Sequence, residues 1–183
     1  MPTILNIETS TDVCSVCIAQ DDRVISMRET DRSYSHNEVI AVFIDECIKE
    51  AGLAMKDLDA VAVSQGPGSY TALRIGTATA KGICFALSIP LIAIGTLDAL
   101  KQSMNKYVKS NDLIVPMIDA RRQEVYRAIY DGSGAELVAV APIILEGNTF
   151  EAYRGYDQIW FCGDGATKAE ELLNQPNGSF LAE

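Results

Sequence analysis

Residues 64–75, SQGPGSYTALRI, constrain this chain more than any other stretch, because they combine a strand end, a turn and a helix start. The apolar run 60–63 precedes them, Gly66-Pro67-Gly68 breaks the extended backbone, and a weakly charged segment over 70–86 follows. That order predicts a strand, a tight turn and a long helix, stopped at Ser88-Ile89-Pro90. Ala72, Gly76 and Ala80 recur every four positions, so one helix face carries tiny side chains and admits another backbone closely. Taken alone, the glycines have two readings. They suit a tight packing turn, or backbone N–H groups and a helix dipole that receive an anion. A Walker A loop is excluded, since no Gly-Lys-Ser/Thr follows and Lys81 lies about three turns into the helix.

On the N-terminal side, residues 3–7, 13–19 and 23–27 read as three short antiparallel strands joined by polar turns. Glu8 closes the first strand and is followed by Thr9, Ser10 and Thr11. Ser35-His36-Asn37-Glu38 has capping-box spacing and predicts a helix over 36–51 with Gly52 as its left-handed stop. Val39, Ile40, Val42, Phe43, Ile44, Cys47, Ile48 and Ala51 cover more of that helix than one core-facing stripe needs. Either one flank meets another chain, or the helix is buried on two sides of its own subunit. Strands are predicted at 58–63 and 91–94, and a helix capped by Thr96 runs to about residue 107.

The pattern then restarts. Residues 113–118 form an apolar strand ending in Asp119, 124–130 and 137–141 supply two more, and 159–162 followed by Gly163-Asp164-Gly165 echoes 60–63 and its glycine turn. Two copies of one α/β unit are expected, at residues 1–108 and 109–183. The second copy looks incomplete at its C-terminus. Only a short helical piece at 149–153 and a helix at 168–173 are predicted there, and the final NQPNGSFLAE reads as a turn-like, frayed tail.

A chain of 183 residues with 48% hydrophobic and 22% charged content can form an ordinary core without staples. Lysine and arginine number 7 against 13 acids in residues 1–100 and 8 against 12 in the remainder. Neither half has the clustered cations of a nucleic-acid binder, so any RNA is expected to be held mainly by a partner. No apolar run approaches a membrane span and no leader is evident, which points to the cytoplasm. The five scattered cysteines predict reduced thiols rather than disulfides or a four-ligand zinc site.

Few residues suit catalysis. His36 is the single histidine and falls in the first turn of a helix, so neither a histidine-based triad nor a histidine-pair metal site has support. Glu8 with Ser10 and Thr11, and Asp119 in the second copy, resemble the paired acid-bearing hairpins with which actin-like kinases flank a phosphate tail and its magnesium; turn capping is the alternative. With Gly66 and Gly68 they make a candidate nucleotide or anion set. Arg121-Arg122 marks a hairpin tip, read as a solvated turn or as a contact to a partner or RNA. Arg74 can make forked contacts to a carboxylate.

ILNIETSTDVCSVCI, SYSHNEVI, DLDAVAVSQGPGSYTALRIGTATAKGICFAL and MIDARRQEVYRAIY together resemble the TsaB (YeaZ) family of bacterial threonylcarbamoyladenosine biosynthesis proteins, over nearly all of residues 1–165. Ala72 departs from the glycine that many relatives carry there. The resemblance implies an actin-like, ribonuclease-H-like α/β fold of two duplicated subdomains. It also implies a noncatalytic subunit that pairs, through its first two helices, with a TsaD-like subunit. That partner holds a metal through a histidine pair and modifies adenosine 37 of ANN-decoding tRNA, with a TsaE-like ATPase in the wider complex. The tRNA is then met indirectly, a homodimer forms when the chain is alone, and ATP or ADP with magnesium is expected only at a partner interface. The interface set expected on this basis is His36, Val39, Ile40, Phe43, Cys47, Tyr70, Ala72, Leu73, Arg74, Gly76, Thr77 and Ala80. An independent actin-like ATPase or small-molecule kinase is the alternative, and a glycoprotease-like peptidase finds no residues to support it.

Overall fold

The computed structural model describes residues 1–30 and 36–181. The chain divides into two compact units, Met1–Thr96 and Leu97–Glu183. Unit 1 contains β1 (Thr3–Glu8), β2 (Ser15–Gln20), β3 (Arg23–Glu29), α1 (His36–Glu50), β4 (Ala60–Gly66), α2 (Tyr70–Leu87) and β5 (Leu91–Gly95). Its sheet order is β3-β2-β1-β4-β5, with the first three strands antiparallel and β1, β4 and β5 parallel. Leu5, Ile7, Val16, Ile18, Val61 and Val63 share one face through this register, and α1 and α2 both pack on it.

Both helices stop as their sequences require. After α1, Gly52 takes φ 68°, donates to the Lys49 carbonyl at 3.0 Å, and Leu53 donates to Ile48. Such a left-handed residue satisfies helix-end carbonyls at no steric cost only in glycine. After α2, Ser88 takes the left-handed conformation and its N–H reaches the Cys84 carbonyl. The expected Ser35 cap of α1 lies outside the described residues.

Unit 2 contains α3 (Thr96–Ser103, whose first residue closes unit 1), β6 (Asp112–Asp119), β7 (Glu124–Asp131), β8 (Glu136–Ile144), β9 (Gln158–Cys162), α4 (Gly165–Leu172) and β10 (Gly178–Leu181). Its order, β10-β9-β6-β7-β8, repeats that of unit 1 strand for strand, with the same parallel and antiparallel pairings. The duplication expected from the sequence is therefore a duplication of topology. Two expectations are corrected. The segment taken for a frayed tail forms the fifth strand, because Phe180 stacks on Phe161 at 4.8 Å and β10 pairs in parallel with β9. The helix after residue 96 ends at Ser103, short of 107, and belongs with unit 2 rather than ahead of a boundary at 108. Leu97 and Met104 are buried against Ile114, Ile118 and Tyr130, and Asp98 accepts a 2.9 Å hydrogen bond from the Tyr130 hydroxyl.

With α3 on one face and α4 on the other, β6 is buried from Asp112 to Ile118, whereas β1 alternates. That difference explains why LIVPMI reads as a continuous apolar run and TILNIE does not. Where unit 1 has α1, unit 2 has a 3₁₀ turn at Glu151–Tyr153. Phe150, Tyr153 and Tyr156 fill the space as an aromatic cluster, with Phe150 meeting Phe161 edge-on at 5.1 Å.

Candidate interaction face and acid-bearing turns

The Gly66-Pro67-Gly68 turn holds α2 against the loop after β1. Gly66 has φ 106°, and the Gly66–Pro67 peptide is cis. Ser69 donates its N–H to the Ser10 carbonyl at 2.7 Å. A Cβ on Gly68 would collide with that same carbonyl oxygen and lie 2.7 Å from Ser10 Cβ. A Cβ on Gly76 would collide with Thr9 Oγ1. The two glycines therefore let the helix lie on Thr9 and Ser10, both buried.

This geometry corrects the face assigned to the small-residue strip. Ala72, Gly76 and Ala80 are buried and turn towards the interior of unit 1, as do Ile40 and Cys47 of α1. They position the helices and have no surface to offer a partner. His36, Val39, Phe43, Leu73 and Thr77 are half-buried, while Tyr70 and Arg74 are exposed. Arg74 sits over the Tyr70 ring at 5.4 Å and its guanidinium donates to the Tyr70 hydroxyl at 3.4 Å.

Two residues outside the expected set stand out on the same helices. Phe85 of α2 is 90% exposed and Val42 of α1 is 51% exposed. The signal for Phe85 was present in the helical phase. Tyr70, Arg74, Ala78, Lys81 and Phe85 fall at i, i+4, i+8, i+11 and i+15, opposite the small-residue strip. All five are exposed.

The acid-bearing turns are built as local locks. Glu8 Oε1 accepts the Ser10 N–H at 2.6 Å, and Asp119 Oδ1 accepts the Arg121 N–H at 2.5 Å, each two residues on. Thr11 Oγ1 likewise accepts the Val13 N–H at 3.3 Å. In unit 2, Lys168, absent from the expected set, donates to Asp119 Oδ1 at 2.6 Å and to the Glu124 carbonyl at 3.2 Å. Asp164 Oδ1 accepts the Asp119 N–H at 2.9 Å. The Lys168 ammonium therefore engages one oxygen of the Asp119 carboxylate within the chain itself. Among the described residues no group of three or more His, Cys, Asp or Glu is arranged to hold a metal ion, and no helix is long and apolar enough to cross a membrane.

Two five-stranded sheets of one order, each with its acid-bearing turn, define an actin-like α/β protein. Comparisons with known proteins sharpen that class. A family model described as "TsaD: tRNA N6-adenosine threonylcarbamoyltransferase" matches residues 29–152. The tRNA threonylcarbamoyladenosine biosynthesis protein TsaB of Haemophilus influenzae is 35% identical over 124 residues, 68% of this chain; the chain spans 52% of that relative's length. A solved Pseudomonas aeruginosa protein, described as uncharacterized with similarity to peptidase YEAZ, superimposes with a TM-score of 0.79 at 26% identity, covering 100% of this chain and 84% of the other. A Bacteroides thetaiotaomicron protein with an actin-like ATPase fold gives a TM-score of 0.50 at 10% identity, covering 97% of this chain and 92% of that one, a likeness of fold alone. The chain belongs to the TsaB/YeaZ family.

Proposed function

We propose that this chain is a noncatalytic, cytoplasmic subunit of tRNA threonylcarbamoyladenosine biosynthesis, pairing with a TsaD-like subunit that modifies adenosine 37 of ANN-decoding tRNA. The outward faces of α1 and α2 are the pairing surface, and the same surface joins two copies when the partner is lacking. Any nucleotide belongs to the partner interface, and a TsaE-like ATPase joins the assembly through the TsaD-like subunit. The observation that carries this reading is Phe85. A phenyl group 90% exposed on an otherwise well-packed helix loses little by local rearrangement and gains by burial in a partner, and aromatic anchors dominate such interfaces. Tyr70 and Arg74 add an aromatic and a forked cation on the same side.

The reading drops Ala72, Gly76 and Ala80, keeps Tyr70 and Arg74, and adds Phe85 and Val42 as contact residues. Co-purification of the full chain with the TsaD-like subunit from the same organism tests it. Phe85→Asp should abolish association, and should also abolish the self-association expected of the wild-type chain in sedimentation, while leaving the thermal midpoint within a few degrees. Undiminished association of Phe85→Asp would overturn the pairing surface. The independent ATPase or kinase reading requires saturable binding and turnover of Mg-ATP by the isolated chain.

A further inference from the structure

The turn between β6 and β7 places two unpaired cations on a braced tip. Arg121 and Arg122 adopt φ 70° and 51°, consecutive left-handed positions that glycine or asparagine would fill with less strain. The turn is held regardless of that strain. Ala120 donates to the Glu124 carbonyl at 3.1 Å, Glu124 donates to the Arg121 carbonyl at 3.0 Å, and Leu145 donates to Gln123 at 2.9 Å. The Lys168 ammonium, bonded to Asp119 on one strand and Glu124 on the other, straps the base of the hairpin.

Both arginines are exposed, and neither guanidinium has an ion-pair or hydrogen-bond partner among the described residues. By contrast, Arg28 spans Glu46 and Glu50, and Arg154 meets Glu151. Nothing in the turn's own geometry calls for arginine. What two adjacent guanidiniums on a stiff convex tip offer is a pair of forked donors, pre-positioned for oxyanions.

We propose that Arg121 and Arg122 contact RNA backbone phosphates, so that this subunit touches the tRNA directly at one small point. The inference rests on the proposed role in tRNA modification. RNA is favoured over an acidic protein because the chain carries 25 acids against 15 bases. A protein that associates closely with so acidic a chain is favoured to present basic groups, which leaves a cationic tip for phosphates. The same acidity confines the RNA contact to this projection and makes it weak and salt-sensitive.

The test uses the isolated full chain and an ANN-decoding tRNA transcript at low salt, followed by fluorescence anisotropy across a salt series. The double variant R121N/R122G removes both cations and installs residues suited to the left-handed turn. Wild-type binding should weaken with salt along a log–log slope of about 1.4–1.8 in magnitude, the share of two phosphate contacts, and the variant should lose binding at every salt concentration. Its thermal midpoint should hold or rise by roughly 2–4 °C, since strain is relieved. No RNA binding by wild type, or binding by the variant equal to that of wild type, overturns the proposal. Loss of TsaD-like association with RNA binding unchanged also overturns it, identifying the tip as a protein contact. Failure of the pairing role would appear separately, as RNA binding retained without co-purification.

Discussion

Unit 1 and unit 2 share a strand order but fasten their helices by different chemistry. In unit 1 the helix after the fourth strand is long and seated by absence of side chains, with Gly68 and Gly76 lying against Ser10 and Thr9. In unit 2 its counterpart, α4, has eight residues and is tied by Lys168 to Asp119 and Glu124. Gly165 still allows α4 to start close to Met117, whose Cβ lies 2.8 Å from where a Gly165 Cβ would stand. Unit 1 covers its sheet face with two helices; unit 2 covers the equivalent face with α4 and aromatic rings. The comparison teaches that duplication preserved the backbone path while the outer surface diverged. A long helix frees an outward face for Phe85 and Arg74, and a short strapped one leaves its lysine engaged in holding a turn.

Breaking the glycine seat should have the largest effect. Gly68→Ala forces a methyl group against the Ser10 backbone, which cannot swing aside as a side chain could, and should destabilise unit 1 by about 3 kcal/mol. Gly82 of the same helix has open space around its Cβ position, so Gly82→Ala should stabilise by about 0.5–1 kcal/mol. Denaturant unfolding followed by hydrogen exchange, which separates the units, checks both signs. A neutral Gly68→Ala would refute the seating role.

The ring stack that fastens β10 comes next. Phe180→Ala removes the ring stacked on Phe161 and should cost unit 2 about 2–3 kcal/mol, releasing β10 to exchange early. Full protection of β10 in that variant would restore the view of this segment as peripheral.

The smallest expected effect is alkaline. Burial pushes the Cys162 thiol up to about 12, and burial followed by the Glu8 charge pushes Cys14 up to about 11, from an ordinary 9.0. A folded value above the unfolded one stabilises the protein fully below the unfolded pKa and is lost as pH climbs towards the folded value. Stability should therefore fall from about pH 9 upward, by at most roughly 1 kcal/mol per thiol over the first unit. Cys162→Ala should flatten the loss in unit 2 between pH 9 and 10, before tyrosine ionisation intervenes. An unchanged slope in cysteine-resolved alkylation during unfolding would show that Cys162 is not its source.

Much of this fold was legible because local rules and tertiary packing agree. Alternating TILNI, the continuous LIVPMI, Gly52 after α1 and the Gly66-Pro67-Gly68 break each name their element through side-chain period or backbone freedom. The strand at 178–181 was not legible, since GSFL is too short for a period and follows NQPN; its pairing with β9 and the Phe180–Phe161 stack create it. The direction of the Ala72-Gly76-Ala80 strip was also undetermined. Small side chains report that something comes close, and here it is the chain's own Thr9, a neighbour brought in by the loop after β1.

By itself, then, the sequence determined the order of elements, the doubling of the α/β unit and the family, because periodicity, turn chemistry and motif spacing are properties of the chain read locally. Tertiary structure decided which helix face points outward, that Lys168 locks Asp119, and that two arginines stand unpaired on a braced turn. Those outcomes depend on contacts between residues far apart in the chain, 49 positions for Lys168 and Asp119 and more for Gly76 and Thr9, and no local pattern carries the information about which of several compatible neighbours a side chain will meet.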